Sequence, residues 1–154
     1  MKNFPIIKNG KEYWISRSVS VVRFVFANVD NELCVLANKR GSGTPDYQGY
    51  WNCPCGYLDW DETLVQAVQR EVKEECGIDI NLLRMVGIDS DPKSNKQNVS
   101  VHYYAFYTGD LTLSIGEGGE ENETEDMKWI PVDEVKNYQW AFNHGHLIKK
   151  YAKY

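Results

Sequence analysis

Glu71, Glu74 and Glu75 stand at i, i+3 and i+4 within the run REVKEECGI. In a helix, with about 100° of turn per residue, that spacing gathers three carboxylates on one face. Groups held that close repel one another and raise each other's proton affinity unless a cation shares the site. A divalent metal is the simplest such cation, and hard carboxylate oxygens suit Mg²⁺, which keeps several waters and takes further ligands from substrate phosphates. An isolated acid-rich helix is more often a solvated surface with pairs such as Arg70 and Glu74. The surrounding residues therefore decide between the two readings.

The helix that would carry the carboxylates reads from Asp61 to Cys76, with Asp61 as N-cap, Glu62 in the first turn and Gly77 just past the end. Val65, Val68, Val72 and Cys76 form its apolar stripe, leaving the neighbouring side for a metal. Ala67, one turn before Glu71, leaves room on the acidic face for a bulky phosphate. Upstream, residues 16–40 carry two β-branched runs around a turn at 28–31, a hairpin. A Gly-rich loop at 41–50 and a short extended segment from Trp51 to Tyr57 lead into the acidic region. Downstream come a strand from Leu82 to Asp89, a loop at 91–95, and a strand from Asn98 to Thr108. Both faces of that last strand are apolar or aromatic, so it should be central. The low-complexity segment 116–126 precedes an extended run from Met127 to Ile130, a short helix from Pro131 to Val135, and a final helix from Asn143 to Tyr151. Strands on both sides of a strong helix predict an α/β fold, a mixed central sheet in an α/β/α sandwich.

All 154 residues fit one domain, 1–154, with 42% hydrophobic residues to build its core. A net charge of −5 provides no general field for a nucleic-acid backbone, so no polymeric nucleic acid is expected as partner. The opening MKNFPIIKNGKEYW lacks the apolar stretch of a signal peptide, and no run approaches the roughly 18 apolar residues of a membrane span. The expectation is a soluble, cytoplasmic protein with no membrane partner. Four scattered cysteines predict reduced thiols, and Cys53-Pro-Cys55 has neither the spacing nor the second pair of a zinc site.

Gly56, five residues, Glu62, seven residues, then Arg70-Glu71-Val72-Lys73-Glu74-Glu75-Cys76-Gly77-Ile78 resembles the Nudix box at every defining position. Weaker similarity extends to Pro54-Cys55-Gly56 and to the acidic loop before Trp129-Ile130-Pro131. The resemblance implies a Nudix-like fold and a Mg²⁺-dependent hydrolase, with Mn²⁺ as the other candidate metal, that splits the pyrophosphate bond of a nucleoside diphosphate linked to another moiety. ADP-ribose, a nucleotide sugar or a non-standard nucleoside triphosphate would each qualify, and a homodimer is compatible with this reading. By the same resemblance Glu71 and Glu75 are the principal metal ligands, Glu74 completes the site or orients water, and the Cys55 carbonyl supplies another oxygen. Cys55 replaces the first glycine of the usual Pro-Gly-Gly, so a positive φ there would be strained. Arg70, with Glu62, is expected to brace the loop and the carboxylates.

Members of the family vary the position of the general base; Glu123, six residues ahead of Trp129, is the best-placed match, with Glu120, Glu121 and Glu125 as competitors. Otherwise Glu117 to Asp126 form a solvated acidic turn. Lys39 and Arg40, at the end of the second strand, are candidate phosphate partners, and Phe142 and His144 are candidate contacts to the nucleotide. His102 reads as structural. Pro92, 15 residues beyond Gly77, matches ADP-ribose-cleaving relatives and equally a turn proline. The alternatives are a non-catalytic Nudix-fold nucleotide sensor or regulator, against which the intact carboxylates argue, and another activity, such as isomerisation, on the same fold.

Overall fold

The computed structural model describes residues 3–81, 83–94, 96–116, 118–119 and 122–154. The expected strand start at Leu82, loop residue Asn95, and Glu117, Glu120 and Glu121 lie outside them.

Two strands, β1 (Phe4–Lys8) and β2 (Lys11–Ile15), pair as a separate antiparallel hairpin around Asn9-Gly10, both at positive φ. The sequence analysis assigned no element there, although Asn-Gly between strand formers is a strong short-range hairpin signal. The main sheet begins with β3 (Val19–Val29) and β4 (Glu32–Arg40), antiparallel across a turn in which Asp30 and Asn31 both take positive φ. Short strands β5 (Trp51–Asn52) and β6 (Cys55–Tyr57) pair with β4 and β3. Then come α1 (Leu64–Cys76), β7 (Arg84–Ser90), β8 (Val99–Phe106) and β9 (Thr124–Pro131), followed by a 3₁₀ turn (Val132–Asn137) and α2 (His144–Tyr151). The order β5-β4-β3-β8-β7, with β3 and β8 parallel and the other pairs antiparallel, makes a mixed sheet in which β8 lies between two neighbours, as expected.

Strand alternation divides the core into two layers. Val22, Phe24 and Phe26 of β3 pack with Leu147, Ile148 and Tyr151 of α2. Val21 and Val25, on the other face, meet Ala67, Val68, Val72 and Cys76 of α1. The sheet therefore lies between the two helices, the expected α/β/α arrangement. Among the described residues no helix is long and apolar enough to cross a membrane.

The carboxylate helix begins later than expected. Thr63, not Asp61, is its N-cap: Gln66 N–H donates to Thr63 Oγ1 at 3.3 Å, and Gln66 Oε1 accepts from Thr63 N–H at 2.8 Å. This reciprocal box satisfies two end groups at once, and Asp61 takes φ 68° in the turn before it. The buried face also differs. Val65 is 41% exposed, whereas Ala67 is fully buried against Val21, Val101 and Tyr103. Ala67 is small so that α1 can approach the sheet closely, and it gives no room to a phosphate. Gly77 caps the helix at φ 72°, as read from sequence.

Candidate active site

The carboxylates stand where α1 passes β6, and backbone from both sides holds them. Gly56 lies so close to Glu71 that a Cβ there would fall 1.9 Å from Glu71 Oε1. Only glycine leaves that space. Cys55 N–H donates to Glu75 Oε2 at 3.1 Å. Cys55 itself pairs with Val22 in extended backbone and is absent from the non-glycine residues at positive φ, so its replacement of glycine carries no such strain.

Arg70 gathers the acidic groups around it. Its Nη2 and Nε donate to Glu62 at 2.8 and 3.1 Å, Nη1 to Glu71 at 2.8 Å and to Glu74 at 3.2 Å, and Nη2 also to the Tyr57 carbonyl at 3.1 Å. The bonds from Arg70 lower the proton affinity of Glu62 below its ordinary value. Glu75 differs. Burial, then the neighbouring Glu71 carboxylate, push its carboxyl well above the usual range despite the Cys55 N–H. Burial also raises Glu71, with Arg70 opposing. Among the described residues Glu75 and Glu123 form no ion pair.

Glu123 arrives from the acidic loop, which is strapped at both ends. Gly41 N–H donates to the Glu123 carbonyl at 2.8 Å and Gly43 N–H to Asn122 at 2.7 Å, while Gly116 N–H donates to the Glu74 carbonyl at 2.9 Å. Glu123 shares a small cavity with Glu71, Glu74 and Glu75, and its charge contributes to the upward push on Glu75. The described part of the loop is thus docked on the helix end. Glu125, the competing base, turns away into an ion pair with Lys39 at 2.7 Å.

Glu71, Glu75 and Glu123 lie at one end of a cleft of about 1210 Å³. Arg40, Phe142 and His144 line it too, but Lys39 does not. Lys39 follows the opposite parity along β4 and pairs with Glu125 outside the cleft lining. Arg40 is bound by Asp46 at 2.9 Å through both Nε and Nη2 and lies 5.3 Å over the Phe142 ring. Phe142 and Tyr47 meet at 4.9 Å on the rim, both partly exposed and both at positive φ. Such conformations are uncommon for bulky residues and gather at binding sites. His144 is buried, and its Nδ1 accepts from Cys53 N–H at 3.1 Å; burial holds its pKa down at about 3. His146 lies exposed outside the cleft.

Sequence reasoning missed the wall formed by Asp91, Lys93, Ser94, Lys96 and Asn98, and missed Asp46, which joins Arg40 to Lys96 at 2.9 and 2.7 Å. Lys93 and Lys96 have no local signal, since they join the cleft only through the fold, whereas Asp46 bonds Arg40 six residues before it and Lys96 fifty residues after it. His102, read as structural, also reaches the cleft while bonding Tyr151.

The charge of the cleft tests whether a metal fits. Seven carboxylates line it against the cations Arg40, Lys93 and Lys96, an arrangement that repels an anionic nucleotide unless further positive charge enters. Among the described residues no three His, Cys, Asp or Glu side chains converge as a ready-made metal cage. Mg²⁺ rarely uses one, since one or two carboxylates with waters and substrate phosphates suffice. The donor set fits such a cation.

The NUDIX domain family model matches residues 17–151. Over 101 residues the chain is 36% identical to the NAD-capped RNA hydrolase NudC of Haemophilus influenzae, covering 65% of this chain and 35% of that protein. It is 26% identical over 127 residues to the ADP-ribose pyrophosphatase of Methanocaldococcus jannaschii, covering 81% and 68%. The NUDIX domain of Shewanella oneidensis NrtR, solved with ADP ribose, superposes with a TM-score of 0.77 at 24% identity, over 90% of this chain and 88% of that one. The chain thus spans about a third of the NudC length, and the likeness to NrtR is one of fold. With the box intact, the α/β/α fold in place and the family model covering nearly the whole chain, this protein belongs to the Nudix family.

Proposed function

We propose that this protein is a metal-dependent hydrolase cleaving the pyrophosphate bond of a nucleoside diphosphate linked to another moiety. The observation that carries the reading is the carboxylate cluster at the cleft end, where Glu75 is held against Glu71 and Glu123 without an ion pair among the described residues. Glu71 and Glu75 would hold Mg²⁺, or Mn²⁺, with Glu74 and the Cys55 carbonyl completing the set. When bound, that cation neutralises phosphate charge and lowers the pKa of the attacking water.

The chain supplies the rest. Arg70 positions Glu71 and Glu74, the Cys55 N–H positions Glu75, and the strapped loop brings Glu123 to the same end of the cleft. Glu123 takes the proton as the water oxygen bonds to phosphorus, and the bridging oxygen leaves with the other phosphate. Arg40 and the Phe142–Tyr47 rim hold the nucleotide, and His144 offers a neutral contact beside them. The net charge of −5 favours a small nucleotide over a polymer, although the Haemophilus relative carries capped RNA in its name.

Incubation with Mg²⁺ and a panel of nucleotides, with product analysis, tests this. Nucleoside monophosphate is the expected product, and Glu75→Gln lowers turnover by about 10²-fold or more. Binding of ADP-ribose with no turnover across the panel would replace the enzyme reading with the sensor one, and full activity in Glu75→Gln would remove Glu75 from the metal site.

A further inference from the structure

The cleft floor away from the carboxylates carries its own chemistry. Cys55 pairs with Val22, Val22 with His102, and His102 with Gly87, so His102 stands two strands, about 10 Å, from the carboxylate end. Strand alternation places Ser20 and Val22 of β3, Ser100 and His102 of β8, and Asp89 of β7 along the same floor.

Among the described residues, the hydroxyl of buried Tyr151 has one hydrogen-bond partner, His102 Nδ1 at 2.9 Å. The hydroxyl proton is satisfied only if it is donated to Nδ1, since a buried unpaired donor is costly. Burial keeps the ring neutral, which puts the imidazole proton on Nε2, an atom with no hydrogen-bond partner among the described residues on a side chain that lines the cleft. Gly87 makes the bond possible, because a Cβ there would fall 2.4 Å from the Tyr151 oxygen and 3.4 Å from His102 Nδ1. Asp89 lies across from Ser100, one step along the floor, and Asn98 occupies Ser20 Oγ as acceptor at 2.8 Å, which leaves that hydroxyl a donor. A fixed donor beside a carboxylate acceptor matches a hydroxyl, which both gives and takes a hydrogen bond, and repels a second phosphate.

The geometry points to His102, held in its Nε2–H form by Tyr151, together with Asp89, as specificity-determining residues that bind the hydroxyls of a sugar ring two strands from the phosphate end. This inference rests on the pyrophosphohydrolase reading for the phosphate end. The sugar is either the nucleoside ribose or a second sugar beyond the diphosphate.

Calorimetry with Ca²⁺ in place of Mg²⁺ compares ADP-ribose with the ADP β-methyl ester, which lacks the distal sugar, and with an analogue lacking the 2′ and 3′ hydroxyls of the nucleoside ribose. The wild-type protein should bind one analogue about tenfold more weakly, the weight of lost hydrogen bonds; which one identifies the ring. That ratio should shrink towards unity in Tyr151→Phe and in Asp89→Asn, the latter an exposed change that spares the core. Nitrogen NMR should show His102 protonated at Nε2 in the wild type and a mixed tautomer in Tyr151→Phe. Equal binding of all three ligands, no binding of ADP-ribose, a ratio unchanged in both variants, or an Nδ1 proton in the wild type would overturn it. Turnover with Mg²⁺ is read separately: hydrolysis without sugar discrimination leaves the pyrophosphohydrolase reading standing alone, and discrimination without hydrolysis does the reverse.

Discussion

At the scale of single residues, Gly56 and Cys55 do as much to place the carboxylates as the helix that bears them. The Cβ of Gly56→Ala would meet the whole carboxyl group of Glu71, the nearest oxygen at 1.9 Å. This variant should fold, because Gly56 has an ordinary strand φ, yet lose about 10²-fold in turnover as Glu71 is pushed from its position. Steady-state kinetics beside a thermal melt separates the two effects. His144 gives a pH prediction. Its pKa is about 3 in the folded protein against 6.5 unfolded, so the unfolded chain binds the extra proton between those values. The stability contributed is therefore complete above pH 6.5 and is lost as pH falls towards 3. Between pH 7 and pH 4 the wild type should lose about 3 kcal/mol more than His144→Gln in urea titrations. Parallel pH profiles would show that His144 is not held neutral by burial.

At the scale of elements, α1 shows which signals local sequence carries. Gly77, read as its cap from position alone, takes φ 72°, and an added Cβ would fall 2.6 Å from the Ser114 carbonyl oxygen. Gly77→Ala should lower stability by about 1–2 kcal/mol, read as a lower melting temperature. The start of the helix was misplaced because two capping signals compete there, and the Thr63–Gln66 box satisfies more donors than Asp61 does. Its buried face was misjudged at Val65 and Ala67, since periodicity locates a stripe only to within one neighbouring row, and the sheet selects the row. Lys39 and Arg40 illustrate the same limit in a strand. Adjacent basic residues look equivalent in sequence, but parity along β4 sends one to Glu125 and the other to the cleft.

At the scale of the molecule, an acidic cleft predicts cation-dependent stability. Bound at the proposed site, Mg²⁺ would relieve the repulsion around Glu75 only in the folded state, so the melting temperature should rise with its concentration, by about 5 °C at a hundredfold excess over Kd. Na⁺ at equal ionic strength should not reproduce the rise, and Glu75→Gln should diminish it; an equal response to both salts would reduce the effect to screening. By itself the sequence determined the box, the carboxylate spacing, the C-terminal cap of α1 at Gly77, the central place of β8 and the α/β/α layering, because these depend on side-chain periodicity and on hydrogen bonds between near neighbours. Only the tertiary structure decided that Glu123 meets Glu75 from nearly fifty residues away, that Asp46 joins Arg40 to Lys96, and that His102, bonded to Tyr151, lines the cleft. Those contacts follow from strand order and loop anchoring, which bring together residues whose local sequences hold no record of one another.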